Sequence, residues 1–598
     1  MSHYSLLIFP YTLICIALVV FLAGKKSIFS NAGKGLTWTL IALPVVYFFY
    51  VLGAMSTNLA FIDDFNLLDS FYRMLYAEEP LDKIKAFFEQ VNEHRFAFER
   101  VMMFGIHLVA GHPDIKLQII TGNLFLVGIA WLLYRFFNWS GQPIVYFLPV
   151  VFLLFNLSFY ENANWGIAAI QNTPLIFFAL LTVWFLAKNT PKGNLAGLFS
   201  AVVTTFVSGS GLSVWIIGVI LLVMDKRYRF LAVWIGTAVV IGIFYFTFDY
   251  VMYPRDRSNL WHHPLANLSF LFSFLGALFH GDYHHGLEYR FYADAAACVI
   301  LGAVLFLISL RWFLETFLNR IQKYRQAQLF LTGTFLFLLA TGSMLVISRP
   351  VASWVFFGGE NLSQRYLIFS AVLCAAAYLA VIYLSRKSLK QSRLIFLVSL
   401  LFAVGVNVVS YYRHLPSLFR QKAMLELDPY YVETHGMLLT SGEVYGDKLF
   451  WNHPTAFTDL LGRLKEKGLY QPGQNFDASV LKKTPATGSP WNIRIKVEES
   501  IGFAGRRSPV VYLTATGSEQ PRITYFILQS ENGQFVLPSV PEKAKVSEIF
   551  SRWEIWGETY GADFRYLKFP PDTYRILIVE ENGRLWDSGQ TLQLDRLE

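Results

Sequence analysis

Long apolar runs repeat along the first 411 residues, and they restrict the fold of this chain more than any other feature. A helix needs about 20 apolar residues to cross a bilayer, because its backbone polar groups must be hydrogen-bonded within the segment. Only 15% of the residues are charged, whereas soluble domains carry roughly 25%. We therefore predict a mainly α, polytopic membrane protein with about twelve spans, near residues 4–23, 36–56, 115–137, 143–159, 166–187, 194–208, 211–224, 230–249, 293–310, 328–348, 364–384 and 394–411.

Basic residues in the connections predict the orientation of these helices. Cytoplasmic loops are enriched in Lys and Arg, and six alternate connections hold seventeen of these residues but only two acids. These connections are residues 24–35, 135–142, 188–193, 225–229, 311–327 and 385–393. We place them inside, so the N-terminus, the loops 57–114, 250–292 and 349–365, and the chain after residue 411 face outward.

The charge density rises after residue 412, which favours a region that folds in water. The sequence of residues 412–489 predicts a helical connector, and that of residues 490–598 predicts short strands. The dipeptide Asn-Gly in "SENGQF" and "EENGRL" lies between strand-like runs and predicts two hairpins. We expect an extracytoplasmic C-terminal β-rich domain that resembles a small antiparallel sandwich.

The first outer loop, residues 57–114, opens with the adjacent acids Asp63 and Asp64 in "FIDDFNLL". Between Ser56 and Arg100 nine acids stand against five bases, a balance that outer loops tolerate. The spacing of the following apolar residues predicts interfacial helices. These helices would carry three candidate substrate-binding residues to the membrane surface: His94, Arg95 and Glu99.

Two further outward segments carry polar and aromatic groups suited to a sugar phosphate. "FYENANWG" offers Glu161 and Asn164 beside a tryptophan, and "GGENLSQRYL" offers Glu360, Arg365 and Tyr366. Arg365 is the predicted phosphate-binding residue, because a guanidinium pairs with phosphate oxygens in a bidentate manner.

Each of these patterns also has a purely structural interpretation. Acids at outward helix ends are common in membrane proteins, and arginines at such ends often reach lipid headgroups. The adjacent histidines of loop 250–292 lack the spacing of a helical zinc motif. The net charge of +8 does not indicate a nucleic-acid partner, because the bases cluster at helix ends.

Taken together, these features resemble the C-type glycosyltransferase superfamily: a polytopic body, an acidic pair in the first large outer loop, interfacial helices and a water-soluble C-terminal domain. The resemblance implies a polyprenyl-phosphate-linked sugar donor and a general-base role for one acid, which by position falls to Asp63, with Asp64 as the alternate. It also admits a divalent metal ion held by the pair.

The predicted function is therefore transfer of a sugar from a polyprenyl-phosphate donor to an extracytoplasmic glycan, lipid or protein acceptor. We expect a multi-pass protein of a bacterial plasma membrane, with membrane lipids as further partners. The alternatives are a glycolipid flippase or transporter and a non-catalytic subunit of envelope-glycan assembly. Transporters tend to place charged residues near the membrane midplane, and the predicted spans are nearly free of charge.

Overall fold

A computed structural model describes most of the chain. The described residues are 6–24, 34–92, 94–252, 256–281, 289–318, 325–352, 354, 357–359, 362–440, 454–473, 476–501, 507–517, 522–531, 533–544, 548, 556–565 and 569–595. Their α-helices are α1 Ile8–Gly24, α2 Lys34–Met55, α3 Asp64–Tyr76, α4 Pro80–Phe88, α5 Ala97–Ala110, α6 Ile115–Phe137, α7 Leu148–Leu154, α8 Tyr160–Ala163, α9 Gly166–Lys188, α10 Pro191–Thr205, α11 Ser213–Met224, α12 Tyr228–Thr247, α13 Ser258–His262, α14 Pro264–Leu275, α15 Tyr289–Phe317, α16 Arg325–Ser348, α17 Leu367–Ser385, α18 Leu389–His435 and α19 Pro454–Glu466.

Eight helices of the described residues are long and apolar enough to cross a membrane. They are α2, α6, α9, α12, α15, α16, α17 and α18, so the prediction of a mainly α fold is confirmed, and the length and composition of these helices suit membrane spans. The other four predicted spans form shorter helices: α1, α7, α10 and α11.

Helix α7 shows how a short apolar helix ends inside the bundle. The helix stops at Leu154, which leaves carbonyl groups without helical partners. The side-chain amide of Asn407, on α18, donates to the carbonyl oxygens of Phe152 and Phe155 at 2.9 and 2.8 Å. These bonds satisfy the backbone where the surroundings are apolar, as a membrane segment requires.

Five of the six connections predicted to be cytoplasmic meet at one end of the bundle. Four contacts join them: Arg227 to the Leu186 carbonyl (2.7 Å), Arg325 to Asp225 (3.2 Å), Gln142 to Ser392 (3.4 Å) and the Trp139 ring on Trp184 (5.1 Å between centroids). Most of the sixth connection, 24–35, lies outside the described residues. We call this shared end the basic end and the opposite one the loop end.

The loop end contains one element that the sequence did not predict. Helix α14 lies in the segment predicted as loop 250–292, yet it enters the bundle and packs on α15. Asn267 near its start exchanges two hydrogen bonds with the Val351 backbone. A Cβ on Gly276 would lie 2.0 Å from the Cys298 carbonyl oxygen, so the two backbones cross in direct contact.

Helix α18 continues from the bundle into the C-terminal region without interruption. Its 47 residues span about 70 Å, well over the roughly 30 Å hydrocarbon thickness. The predicted domain boundary at 411 therefore lies within a helix. Outside the bundle, Arg420 pairs with Asp563 at 2.7 Å, and the Tyr431 hydroxyl donates to the Val536 carbonyl oxygen at 2.6 Å.

The C-terminal strands form two antiparallel four-stranded sheets that share one apolar core. In the first outer loop, β1 and β2, Gln90–Val91 and His94–Arg95, are two-residue strands that form a short hairpin. The C-terminal strands are β3 Asn492–Ile501, β4 Arg507–Thr516, β5 Ile523–Ser530, β6 Gly533–Pro538, β7 Val540–Lys543, β8 Trp556–Arg565, β9 Asp572–Glu580 and β10 Leu585–Leu594. The sheet orders are β10-β9-β5-β6 and β3-β4-β8-β7. The two Asn-Gly segments join β5 to β6 and β9 to β10, so both predicted hairpins are confirmed.

Candidate functional site

The acidic pair lies where the chain leaves α2 and turns into α3 at the loop end. Asp63 is the N-cap residue of α3, and Asp64 is its first residue. The preceding residue, Ile62, is buried and has a backbone φ of +47°. A β-branched residue rarely adopts this left-handed conformation, and such strain persists only where the surroundings enforce it.

Asp64 performs a structural task with both carboxylate oxygens. It is completely buried; Oδ2 accepts from the Phe61 N–H at 2.9 Å, and Oδ1 accepts from the Ile167 N–H at 2.7 Å. The second bond caps the first turn of α9. A Cβ on Gly166 would lie only 2.9 Å from Oδ1. Burial raises the pKa of Asp64 to about 7, and the two backbone donors oppose that rise.

Asp63 is the more available acid of the pair. It is half-buried, makes no capping bond with its own helix, and accepts one long contact from the Asn66 amide at 3.4 Å. Burial raises the pKa of Asp63, whereas the positive charges of Arg365 and Arg349 lower it. A carboxylate with a raised pKa is suited to accept a proton near neutral pH.

Arg365 reaches this acid from the loop between α16 and α17. Its guanidinium carbon lies 5.0 Å from the Trp165 ring centroid and 5.2 Å from that of Tyr366. Its backbone N–H donates to Glu161 Oε2 at 2.9 Å, and the Ser363 hydroxyl donates to the same oxygen at 2.7 Å. Glu161 thereby holds the backbone that presents the guanidinium.

The structure thus brings together four residues that the sequence predicted separately: Asp63, Glu161, Arg365 and Tyr366. Trp165 joins them, since its indole N–H donates to the Phe61 carbonyl oxygen at 2.9 Å. The cluster combines a proton acceptor with a cation on an aromatic platform. This arrangement suits removal of a hydroxyl proton beside a leaving phosphate.

Two further residues lie next to this cluster: His280, which had no signal in the sequence, and Gln364, which belongs to the predicted polar segment "GGENLSQRYL". His280 Nε2 bonds the Gly359 carbonyl oxygen at 2.9 Å, so it carries the proton and Nδ1 is an acceptor. The Gln364 amide nitrogen contacts that acceptor at 3.3 Å. His280 and Gln364 therefore fix the loop that carries Arg365.

His94 and Arg95 do not lie in this cluster. Arg95 is completely buried, and its guanidinium donates to the carbonyl oxygens of Tyr245 at 2.8 Å, Phe88 and Phe248. It secures the β1–β2 hairpin to the end of α12 and is not presented at the membrane surface as predicted. His94 Nδ1 accepts from the Gly209 N–H at 3.0 Å.

The other predicted residues have different surroundings. Asn164 is buried, and its amide nitrogen contacts Gln421 Oε1 at 3.5 Å. Glu360 lies outside the described residues. Glu99 is buried, contrary to its predicted place at the surface, and neither carboxylate oxygen has a hydrogen-bond partner among the described residues.

Replacing Glu99 by Gln is expected to stabilise the protein above neutral pH. Burial raises the pKa of Glu99 well above its ordinary value, against the opposing effects of Arg100 and Gln171. The folded state therefore keeps a proton that the unfolded state loses near pH ~4.3, and stability falls as pH rises from there to the folded pKa. Glu99→Gln removes this loss, so its thermal midpoint should exceed that of wild type at pH 8 by at least ~2 °C. A difference in thermal midpoint between Glu99→Gln and wild type that is the same at pH 5 and at pH 8 would contradict the assignment.

Among the described residues, the donor set around Asp63 does not fit a divalent metal ion. Both Asp64 oxygens accept backbone N–H groups, and the positive charges that act on Asp63 are those of Arg365 and Arg349. Within the described ranges, no three His, Cys, Asp or Glu side chains converge.

Comparisons with protein-family models, with curated proteins and with solved structures found no match.

Proposed function

We propose that this protein is a membrane glycosyltransferase that uses a polyprenyl-phosphate-linked sugar. The observation that carries the proposal is that the half-buried Asp63 carboxylate and the Arg365 guanidinium belong to one cluster: Arg365 lies over the ring of Trp165, which is bonded to Phe61, two residues before Asp63. Helix α9 runs from this cluster to Lys188, and α16 runs to it from Arg325, so the cluster lies at the end opposite the basic connections. By the positive-inside rule, this end faces outward.

The reaction follows from these two groups. The acceptor hydroxyl oxygen attacks the anomeric carbon of the donor, and its proton passes to the Asp63 carboxylate. The bond between that carbon and the phosphate oxygen breaks, and its electron pair leaves with the polyprenyl phosphate. Arg365 stabilises the charge that develops on the phosphate. The buried Trp165 ring and the half-buried Tyr366 ring hold the guanidinium in place, and the Tyr366 ring offers surface to the sugar.

The structure favours Asp63 over Asp64 as the base. A general base needs an oxygen within hydrogen-bond reach of the acceptor proton. Both Asp64 oxygens already accept backbone N–H groups in a completely buried position. Asp63 has the open carboxylate, so the two acids divide catalysis and structure between them.

Replacing Arg365 by Ala is expected to lower kcat by about 10²-fold, because one donor to the developing charge is lost. The acidic limb of the pH–rate profile should also move to higher pH, since Arg365 lowers the pKa of Asp63. Arg365→Lys retains the positive charge, so both the loss of kcat and the shift of the acidic limb should be smaller than in Arg365→Ala. Arg386→Ala is the matched control, because its guanidinium also lies over an aromatic ring, Tyr383, but at the basic end. An unchanged pH–rate profile in Arg365→Ala would argue against this arrangement.

A transfer assay tests the proposed function. Purified protein in nanodiscs is supplied with labelled polyprenyl-phosphate sugars or with labelled nucleotide sugars, together with envelope acceptors. We expect label to move to an acceptor from the lipid-linked donor only. Transfer from nucleotide sugars alone would overturn the donor class. Transbilayer movement of the lipid-linked sugar without a new glycosidic bond would support the flippase alternative.

A further inference from the structure

We infer that the segment after α18 positions the catalytic base, and that Tyr470 is the residue that does so. This inference rests on the proposed function. We call residues 454–470 the brace; it consists of α19 and the turn that follows it. The brace belongs to the connector after the last membrane helix, yet it contacts the loop that carries Asp63.

Tyr470 makes the decisive contact. Its buried hydroxyl accepts from the Ala60 N–H at 2.8 Å, and its ring lies edge-on to Phe65 at 6.1 Å between centroids. Gly468 in the left-handed conformation, with φ of +65°, reverses the chain after α19. This reversal buries Leu469 and Tyr470 in the same apolar core as the membrane helices.

Three side chains restrain the residues before Asp63, and two of them, Tyr470 and Trp165, come from distant parts of the chain. Tyr470 binds the backbone of Ala60, Asp64 binds the Phe61 N–H, and Trp165 binds the Phe61 carbonyl oxygen. The strained Ile62 follows directly. Left-handed backbone is unfavourable at such a residue, so these bonds hold the turn in place and thereby fix the direction of the Asp63 carboxylate.

The brace also lies along α3 itself. Arg463 pairs with Asp69 at 3.5 Å and lies over the Tyr72 ring at 5.2 Å. Lys467 lies over the Tyr76 ring at 5.5 Å. These contacts are half-exposed and lie far along α3 from Asp63, so they anchor the brace. Of Arg463, Lys467 and Tyr470, only Tyr470 contacts the strained turn.

The consequence is a mechanical link between the C-terminal region and the site. A positioning residue changes the rate through the geometry of another group, and a displacement of about 1 Å can cost ~10²-fold in rate. Tyr470→Phe keeps the ring and its packing but removes the hydroxyl acceptor of Ala60. The variant therefore tests the loss of the hydrogen bond while the packing of the ring is retained.

The test combines hydrogen–deuterium exchange with kinetics on the full-length protein in nanodiscs. In Tyr470→Phe we expect exchange in peptides covering residues 58–66 to rise about tenfold, kcat to fall about tenfold, and KM for the lipid-linked donor to change less than twofold. Lys467→Ala, from the same brace, should leave exchange in this peptide and kcat at wild-type values.

Each outcome of this experiment either supports or overturns the inference. Unchanged exchange at 58–66 in Tyr470→Phe would overturn the inference, and so would faster exchange with unchanged kcat. If the wild type transfers no sugar from any lipid-linked donor, the proposed function fails and the positioning role fails with it. The exchange result would still show whether Tyr470 holds the turn, which keeps the two failures distinguishable.

Discussion

Replacing Asp63 by Asn is expected to lower kcat for sugar transfer by about 10²–10⁴-fold, the usual contribution of a positioned general base. The side chain keeps its size and its place at the N-cap of α3, so the fold should be unaffected. KM for the donor should change little, because the amide still occupies the same position beside Arg365. Steady-state kinetics with a labelled lipid-linked donor measure both parameters.

Asp69→Asn is the matched control for this prediction. Asp69 lies on the same helix and pairs with Arg73 at 3.0 Å, but it is a full helical turn and more away from the N-cap. Its replacement should leave kcat within about twofold of wild type, because its ion pairs with Arg73 and Arg463 are partly exposed, contribute little and lie away from the N-cap. A similar loss of activity in both variants would mean that the acids of α3 matter through the fold and not through proton transfer.

Replacing Asp64 by Ala is expected to destabilise the fold strongly instead of only slowing catalysis. Two buried backbone donors, those of Phe61 and Ile167, lose their acceptor. Each unpaired buried group costs about 1–3 kcal/mol, so the combined loss is comparable with much of a domain's stability of about 5–15 kcal/mol. The expected result is a large fall in the yield of monodisperse protein and a lower thermal midpoint.

Asp63→Ala separates this effect from a general intolerance of the loop. Its side chain makes only the long Asn66 contact at 3.4 Å, so yield and thermal midpoint should stay near wild type while transfer is lost. The opposite result, a stable Asp64→Ala and an unstable Asp63→Ala, would mean that Asp63 has the structural role and that Asp64 is the candidate base.

The local patterns of the sequence predict much of the fold. Apolar length marks the long helices, and Asn-Gly marks the two hairpins, because both signals act over a few residues. Arg365 and Glu161 could be named from residue type and position at predicted helix ends. Their direct contact, Glu161 to the Arg365 backbone, joins residues about 200 positions apart and has no local signal.

The missed features depend on tertiary contacts. Helix α14 has only 12 residues, too few for a predicted span, and its place in the bundle depends on close backbone contact at Gly276. Arg95 was expected at the membrane surface because the apolar spacing of its loop predicted interfacial helices, yet three backbone carbonyls satisfy it inside the protein. Tyr470 meets Ala60 across 410 residues. Such pairings depend on the folded path of the chain.

The most direct test of the central claim is acceptor-dependent release of polyprenyl phosphate in a single turnover. Wild-type protein in nanodiscs, in excess over a labelled lipid-linked donor, should release polyprenyl phosphate and form one glycosidic bond per donor only when acceptor is added. Asp63→Asn should bind the same donor and release almost none on this time scale. Release at the wild-type rate from Asp63→Asn, or release without any glycosylated product, would contradict the account.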